Sequence, residues 1–299
     1  MIDVAARAER RRSWISDSQT LRLWRRATSY WTARLGLALL VLLAGIAFVG
    51  PFVAPHSESD AVDIPNLLPS SRYLMGTDAL GRDVLSRFLF GGHTVIELSF
   101  AATAIGYMFG ILIGLLAGYR RGATDFALMR IVDVLLSFPS IILALILVAG
   151  FGTSLWVIVA GVALTHVPRV ARVVRAVSME TSVQAFVERA EARGERTLRI
   201  LLREILPNVW TPILADFGIR LSTSVILVAS LSFLGFGLRP PAADWALMIN
   251  ENRTAVFEQP WAVAFPAIAI GLLTIAVNLL ADGFARAVGR SVNREQLST

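Results

Sequence analysis

Long apolar stretches without charged residues recur along this chain. Residues 35–55 carry no charge between Arg34 and His56, and residues 98–119 carry none between Glu97 and Arg120. A helix of roughly 20 apolar residues crosses a hydrocarbon core of about 30 Å, because its own hydrogen bonds satisfy the backbone. The pattern therefore predicts membrane-spanning helices over residues 35–55 and 98–119.

Four further spans follow from the rest of the pattern. The uncharged stretch 134–168 is too long for one crossing, and the sequence GFGTS at residues 150–154 predicts a turn that divides it into two spans. Two more are predicted over residues 211–238, which include one acidic and one basic residue, and over residues 259–281. The chain is thus predicted to be an all-α integral membrane protein with six transmembrane helices.

The composition agrees with a membrane chain. Of its 299 residues, 55% are hydrophobic and 17% are charged, whereas ordinary globular chains are roughly 45–50% apolar and about 25% charged. The chain contains no cysteine, which excludes disulfides and thiolate metal sites, and its three histidines are widely spaced. We therefore predict no metal site.

Every one of the 28 basic residues is arginine. A phosphate-binding loop of the form G-x-x-x-x-G-K-[ST] requires lysine, and so does Schiff-base catalysis. We predict no catalytic residues and no cofactor on this chain. If ATP and Mg are used, another polypeptide must bind them.

The arginines also predict an orientation. Positive residues in short flanking loops are retained in the cytoplasm, and 22 arginines fall on one side of the predicted spans against five on the other. Both termini are therefore predicted to be cytoplasmic. The chain then divides into a basic N-terminal segment (1–34), a first anchor helix (35–55), an extracytoplasmic loop (56–94), a membrane core (95–290) and a cytoplasmic tail (291–299).

The N-terminal segment interleaves aromatic residues with arginine. This pattern predicts an interfacial helix that contacts lipid headgroups on the inner leaflet, and we favour this over a nucleic-acid contact. No clear small-residue cleavage site follows it, so residues 35–55 are expected to stay as an anchor and not to be removed as a secretory signal.

The second span carries a glycine at every fourth position, at Gly106, Gly110, Gly114 and Gly118. Small residues at this spacing let a neighbouring helix approach closely within a bilayer. The sequence predicts a helix-packing ridge there. Packing within the chain and sliding against a partner helix both remain open.

Residues 178–207, here called the coupling segment, lie between two predicted spans and show two amphipathic patterns. The spacing predicts two short helices with apolar stripes, separated by Gly194 at a helix C-terminus and closed by Pro207. The inner leaflet, the chain's own spans or a groove on a soluble partner could cover the stripes. The stripe positions are Val183, Phe186, Val187 and Ala190, then Leu198, Leu201, Leu202 and Ile205.

Five motifs in this chain resemble those of the membrane subunits of ATP-binding-cassette (ABC) importers, specifically the second permease of the dipeptide/oligopeptide type. Within the coupling segment, Glu188, Ala190 and Gly194 match the loop E-A-A-x-x-x-G, with Leu206–Pro207 at the expected distance, whereas Arg189 and Glu204 depart from it. The other four are MGTDALGRDVLSR from Met75, AGYRRGATDFALMRIVDVLLSFPS from Ala117, LSFLGFGLRPP from Leu231 and NLLADGF from Asn278.

The resemblance implies a type I ABC importer transmembrane fold in a bacterial cytoplasmic (inner) membrane. It implies a non-catalytic permease subunit that forms a path for dipeptides or oligopeptides with a homologous permease. The implied partners are two ABC ATPase subunits or domains, which bind ATP and Mg, and an extracytoplasmic solute-binding protein.

The resemblance also assigns candidate sites by residue. We expect the coupling segment to contact the ATPases and the external loops at Met75–Arg87 and Leu238–Trp261 to dock the binding protein. The coupling residues are Phe186, Val187, Glu188, Ala190, Gly194, Leu198, Leu201, Leu202, Ile205 and Pro207, and the docking residues are Gly76, Thr77, Asp78, Gly81, Arg82 and Asp83.

Several alternatives stay open at this point. The solute could instead be nickel, glutathione or haem, and the chain could be an ion-driven secondary transporter or a membrane scaffold. Asp216 and Arg220 can pair on one helix turn or can line a translocation path. We expect His166 to be a packing residue, with a proton relay as the alternative.

Overall fold

The computed structural model describes residues 28–296 of the chain and the side chains of residues 28–287. Most of the predicted interfacial helix therefore lies outside the described residues. Within the described range the chain is helical, and its β-type pairings are two isolated bridges, Ala61 with Arg82 and Thr77 with Asp83.

The helices follow the apolar pattern of the sequence, and several begin at capping side chains. Asp83, Ser154 and Asp244 each accept a backbone N–H hydrogen bond at a helix N-terminus. The α-helices are α1 (Trp31–Val53), α2 (Val84–Phe90), α3 (Gly92–Arg120), α4 (Gly122–Leu136), α5 (Ser140–Phe151), α6 (Leu155–Thr181), α7 (Ala185–Ala192), α8 (Thr197–Ile200), α9 (Leu206–Phe233), α10 (Trp245–Asn252) and α11 (Trp261–Gln296).

Five helical stretches of the described chain are long and apolar enough to cross a membrane, and a bent pair makes a sixth candidate. The bent pair is α4 and α5, which meet at 88°. The predicted third span, which was to begin at residue 134, is therefore wrong as one straight crossing. Pro139 sits at the N-cap of α5, and the residue before a proline is disfavoured in the helical conformation.

The predicted hairpin between the third and fourth spans is present. The helix α5 ends at Phe151, Gly152 has a φ of +89°, and Ser154 caps the start of α6. The helix α6 then runs past the predicted end of its span at residue 168, because Pro168 lies inside it without ending it.

The end of the coupling segment differs from the prediction. The expected second amphipathic helix begins as α8, passes through a π-helical turn at Leu201–Ile205 and continues into α9. Pro207 does not close a helix, because it stands in the first turn of α9, where its missing N–H costs little. One helical stretch thus runs over Thr197–Phe233.

The buried apolar residues form two clusters. The larger one joins α1, α3, α5, α6, α9, α10 and α11 around the fully buried Trp245. The smaller one joins α3 and α6 to the coupling segment and the first half of α9. The coupling segment is thereby packed onto the same two helices that carry the larger core.

Candidate functional site

The first half of the coupling segment is a helix that ends as the sequence predicts. Gly194 follows α7 with a φ of +71°. Its N–H donates to the carbonyl of Glu191 at 2.8 Å, and the N–H of Glu195 donates to the carbonyl of Ala190 at 3.2 Å. This pair of bonds is a Schellman motif, which needs a positive φ at the position of Gly194.

The chain's own spans cover part of each apolar stripe. Val187 and Ala190 from the first stripe and Leu201 and Ile205 from the second are buried in the smaller core cluster. They pack there with residues of α3, α6 and α9, among them Leu115, Val170, Val174 and Val209. The buried half of the segment therefore stabilises its position.

The remaining half of each stripe is exposed. Val183, Leu198 and Leu202 are 58%, 60% and 41% exposed, and Phe186 is partly buried. The other predicted coupling residues, Glu188, Gly194 and Pro207, are also exposed. The segment thus presents apolar and charged side chains on an anchored base, an arrangement suited to docking another protein.

The glycine ridge packs within the chain, against α6. A Cβ added at Gly110 would lie 2.6 Å from Val170 Cβ, and one added at Gly114 would lie 2.6 Å from the carbonyl oxygen of Ala171. Gly106 and Gly118 meet α6 at similar distances, near Ala163 and Arg175. The ridge lets α3 and α6 approach closely, so its four glycine positions are filled by this chain and not by a partner.

On the opposite side, residues 54–90 and 234–260 form a structure that we call the cap. Three arginine contacts hold it together. Arg87 donates from Nη2 to Glu251 Oε2 at 2.7 Å, Arg82 donates from Nη2 to the same oxygen at 2.9 Å, and Arg82 Nε donates to Asp78 Oδ2 at 2.7 Å. The Arg87 side chain is fully buried, so it is tolerated only because it is paired.

All six predicted docking residues are buried inside the cap. Gly76 and Gly81 have positive φ values and lie against the carbonyl oxygens of Leu67 and Asp63, which leaves no room for a side chain. Thr77 donates to the carbonyl of Ile64 at 2.8 Å, and Asp78, Arg82 and Asp83 take part in ion pairs or helix capping. Their side chains build the cap from inside and do not face a partner.

The exposed side chains of the cap are different residues. Large apolar side chains at Ile64, Leu68, Leu74, Leu80 and Phe257 are between 58% and 98% exposed. Asn66 Nδ2 donates to Glu258 Oε2 at 2.8 Å, which ties the loop that carries Ile64 and Leu68 to the one that carries Phe257. The sequence motif found the loop, but it did not identify which of its residues face outward.

A polar cluster lies between the membrane-spanning helices α3, α6 and α9. Tyr107 Oη donates to Asp216 Oδ2 at 2.6 Å, and Arg220 pairs with Asp216 at 3.0 Å. The predicted local pair of Asp216 and Arg220 is therefore present. His166 is fully buried, and its Nε2 lies 2.7 Å from Ser224 Oγ.

Sequence reasoning missed several of these residues. Glu251 is separated from Arg87 by more than 160 positions, and Tyr107 meets Asp216 across more than 100. No local pattern signals such pairs. Ile200 is also buried in the smaller cluster, although it lies outside the predicted apolar stripe.

Two family models match the chain. The model for the binding-protein-dependent transport system inner membrane component matches residues 110–294, and that for the N-terminal transmembrane domain of oligopeptide transport permease C matches residues 18–69. Together they cover the coupling segment, Gly110, Gly114 and Gly118 of the glycine ridge, and the first span.

Named relatives extend over most of the chain. The glutathione transport system permease protein GsiD of Pectobacterium atrosepticum is 38% identical over 267 residues, which is 89% of each chain. The protein of the same name from Escherichia coli is 39% identical over 267 residues, covering 89% of this chain and 88% of that one.

A solved structure of the inward-facing MetNI methionine ABC transporter shares the fold. Its matched chain has a TM-score of 0.52 and 20% identity, over 69% of this chain and 96% of the other. This likeness shows a type I ABC importer transmembrane fold, as the resemblance in the sequence implied. From its motifs, spans and relatives, the chain belongs to the inner-membrane permease components of binding-protein-dependent ABC importers, of the oligopeptide permease C type.

Proposed function

We propose that this permease subunit imports dipeptides, oligopeptides or a closely related peptide-like solute. The observation that supports a peptide class is the match of its first span to oligopeptide permease C. Glutathione, itself a tripeptide, is a second candidate, because the relatives at 38–39% identity are named as glutathione permeases.

The import would depend on four kinds of protein. In this proposal a homologous permease completes the translocation path, two ATPase subunits or domains bind ATP and Mg, and an extracytoplasmic protein delivers the solute. The bilayer supplies the remaining contacts, and nucleic acid has no part. The cytoplasmic position of both termini belongs to the same proposal.

The coupling segment would transmit ATPase movement to the membrane helices. Its exposed residues Val183, Leu198 and Leu202 offer apolar contacts to an ATPase surface. Its buried residues connect it to α3 and α6, and α8 continues through the π-turn into α9. A push on the exposed side would therefore move helices inside the membrane.

The cap would receive the solute-binding protein through its exposed apolar side chains. Leu68, Leu74 and Phe257 are 58%, 68% and 98% exposed, and the buried ion pairs beneath them keep the surface in one shape. This moves the proposed docking contact from the six buried residues of the motif to their exposed neighbours.

The transport function is tested by reconstitution of the whole complex in vesicles. We expect uptake of dipeptides, of oligopeptides or of glutathione to require ATP and to resist an ionophore. Competition between glutathione and dipeptides then decides which is the substrate. Uptake that continues without ATP and stops with an ionophore would contradict the proposal.

The coupling role is tested by Leu198→Asp in the same complex. A charge on an exposed apolar contact should reduce ATPase co-purification and ATP-dependent uptake by about tenfold or more. Ile64→Asp is the matched control, because Ile64 has similar exposure, at 63%, but lies in the cap. It should leave ATPase co-purification intact, and an equal loss of co-purification in the two variants would contradict the coupling role. Leu201→Asp is a poor test, since Leu201 is buried.

A further inference from the structure

The polar cluster between α3, α6 and α9 contains more positive than negative charge. Arg169 on α6 donates to the carbonyl of Thr165 at 2.7 Å and to Ser140 Oγ at 2.8 Å. Both partners are neutral, and among the described residues no carboxylate pairs with Arg169. Arg220 shares the single carboxylate of Asp216 with the Tyr107 hydroxyl.

These charged groups lie within Coulombic range of one buried residue. The charges that act on the buried His166 come from Arg220, Arg169 and Asp216, and Arg169 also lies within Coulombic range of Arg220. Two guanidinium groups thus face one carboxylate within the membrane-spanning helices. An unbalanced cation is costly at this depth unless it faces a water-filled path or a partner charge.

The cluster is open on one side. The Asp216 and Arg220 side chains keep 16% and 20% of their surface exposed. Beside them, Phe100 is 56% exposed and packs edge-on against Phe217, which in turn contacts Tyr107. The Asp216 and Arg220 side chains are therefore partly accessible in this chain, next to a largely exposed aromatic ring.

Arg220 has donors to spare. It uses Nε and Nη2 toward Asp216, and a guanidinium carries five N–H donors in a planar fork that matches a carboxylate. Tyr107 holds Asp216 from the other side, which fixes the direction in which Arg220 points. The unused donors of Arg220 and the positive field of Arg169 together suit a carboxylate group.

We propose that Arg220 and Arg169, oriented by Asp216 and Tyr107, form a transient binding site for a carboxylate of the transported solute. This rests on the proposed function, since peptides and glutathione carry such a group. Asp216 positions Arg220. Its negative charge also lowers the net positive charge of the site, so that the solute can leave again. The aromatic pair Phe100 and Phe217 contacts the rest of the solute.

The test uses the assembled complex without the binding protein, in nanodiscs, with glutathione as the probe. Equilibrium dialysis of radiolabelled glutathione should show affinity about tenfold weaker or more for Arg220→Gln and for Arg169→Gln, since each removes a charge-assisted bond. Arg220→Lys should restore part of the loss, because it keeps the charge without the planar fork. Wild-type affinity in both glutamine variants overturns the proposal.

Arg172→Gln is the matched control. Arg172 lies on α6, the helix that also carries Arg169, but it pairs with Asp133 at 2.5 Å and is 55% exposed. It should bind glutathione as the wild type does, and a loss equal to that of Arg220→Gln overturns the proposal. Each variant is used only after size-exclusion chromatography and ATPase co-purification show an intact complex.

A second probe separates a carboxylate site from a merely structural pair. Glutathione amidated at its glycine carboxylate should bind the wild type about tenfold more weakly than glutathione, and this difference should vanish in Arg220→Gln. A difference that persists in the variant overturns the proposal. If the wild-type complex shows no ATP-dependent uptake of glutathione or of any peptide, the proposed function fails instead.

Discussion

The cap and the coupling segment use arginine in opposite ways. In the cap, Arg82 and Arg87 are buried and share Glu251 and Asp78 as partners. In the coupling segment, Arg189, Arg196 and Arg203 are exposed, while apolar side chains beneath them hold the segment in place. The arginine charges thus stabilise the cap, whereas in the coupling segment they lie on the surface.

The difference follows from what each region has to pack against. The cap consists largely of long loops that lie over a large apolar core. Buried ion pairs and closely packed glycines fix the course of these loops. The coupling segment rests directly on α3 and α6, so apolar contacts are sufficient. Its charged side chains can then lie on the surface, where they contribute little to folding.

The largest expected effect that tests this comparison is Arg87→Gln in the cap. Removing this fully buried cation leaves Arg82 as the one cation, among the described residues, paired with Glu251 and Asp78. It also leaves the carbonyls of Glu58 and Pro241 without its hydrogen bonds. Breaking a buried ion pair typically costs about 3–5 kcal/mol of stability. The unfolding free energy of the detergent-solubilised protein should fall accordingly. Arg72→Gln is the control, because Arg72 is 75% exposed in its pair with Asp63, and it should change stability by no more than about 1 kcal/mol. Equal losses would contradict a buried role.

The next effect concerns the helices beneath the coupling segment. Gly118→Leu would place a Cβ 2.7 Å from Ser178 Cβ and 2.8 Å from the Arg175 carbonyl oxygen, and overpacking of this kind costs about 1–3 kcal/mol. Thermal unfolding should occur at lower temperature, and ATP-dependent uptake should fall with it. Gly45→Leu provides the comparison, since no atom lies within 4 Å of its added Cβ. A stable Gly118→Leu protein would show that α3 and α6 separate easily.

A smaller effect should appear in the pH dependence of the cap. Burial raises the pKa of the Asp244 carboxyl, against hydrogen bonds from Ser232 and two backbone N–H groups. A raised folded pKa means that the stability is complete below the ordinary pKa of aspartate and declines as pH rises through the folded pKa. Asp244→Asn can keep all three bonds, because Oδ1 accepts each of them.

The Asp244→Asn protein should therefore unfold at a higher temperature than the wild type at neutral pH, with a gain of about 1 kcal/mol. The gain should shrink toward about pH 4, where the ordinary carboxyl is half protonated. Thermal scans of both proteins between these pH values measure this. A pH-independent difference would show that the carboxyl charge is not what matters.

The smallest effect is expected at Glu195 in the coupling segment. A hydrogen bond from Arg193 lowers the pKa of Glu195, so any stabilisation exists above the ordinary pKa of glutamate and is lost as pH falls. Its partners Arg193 and Arg199 are more than half exposed, so salt and water screen these pairs. Glu195→Gln should leave the unfolding temperature unchanged in low and high salt. A clear loss would mean that charge also holds the coupling segment together.

The sequence predicted those parts of the structure that depend on local spacing. The Gly194 turn, the Gly106–Gly118 ridge and the GFGTS hairpin follow from conformations or sizes that only a few residue types allow. The break at Pro139 was equally local, since the F-P-S sequence could have been read as a helix boundary. Pro207 was read as a stop because a proline ends most helices, whereas here it follows a π-turn and the helical stretch continues through it.

Two kinds of feature could not be predicted from the sequence: contacts between residues far apart in the chain, and the side of an amphipathic helix that becomes buried. The docking motif at residues 75–87 predicted a loop correctly, but burial of Asp78 and Arg82 depends on Glu251, far along the chain. The same holds for Asp216, whose contact with Tyr107 sets the polar cluster. Amphipathic spacing could not tell which half of the coupling stripe the spans would cover.

The π-helical turn at Leu201–Ile205 has a geometric consequence for evolution of this family. A π-turn holds about one residue more than an α-turn, and each residue advances an α-helix by about 100°. Side chains after Ile205 are therefore rotated relative to those of α8 by about a quarter turn or slightly more. The angular register of the coupling segment is thus set separately from that of α9. A one-residue insertion or deletion at this turn could re-aim one surface while leaving the other in place.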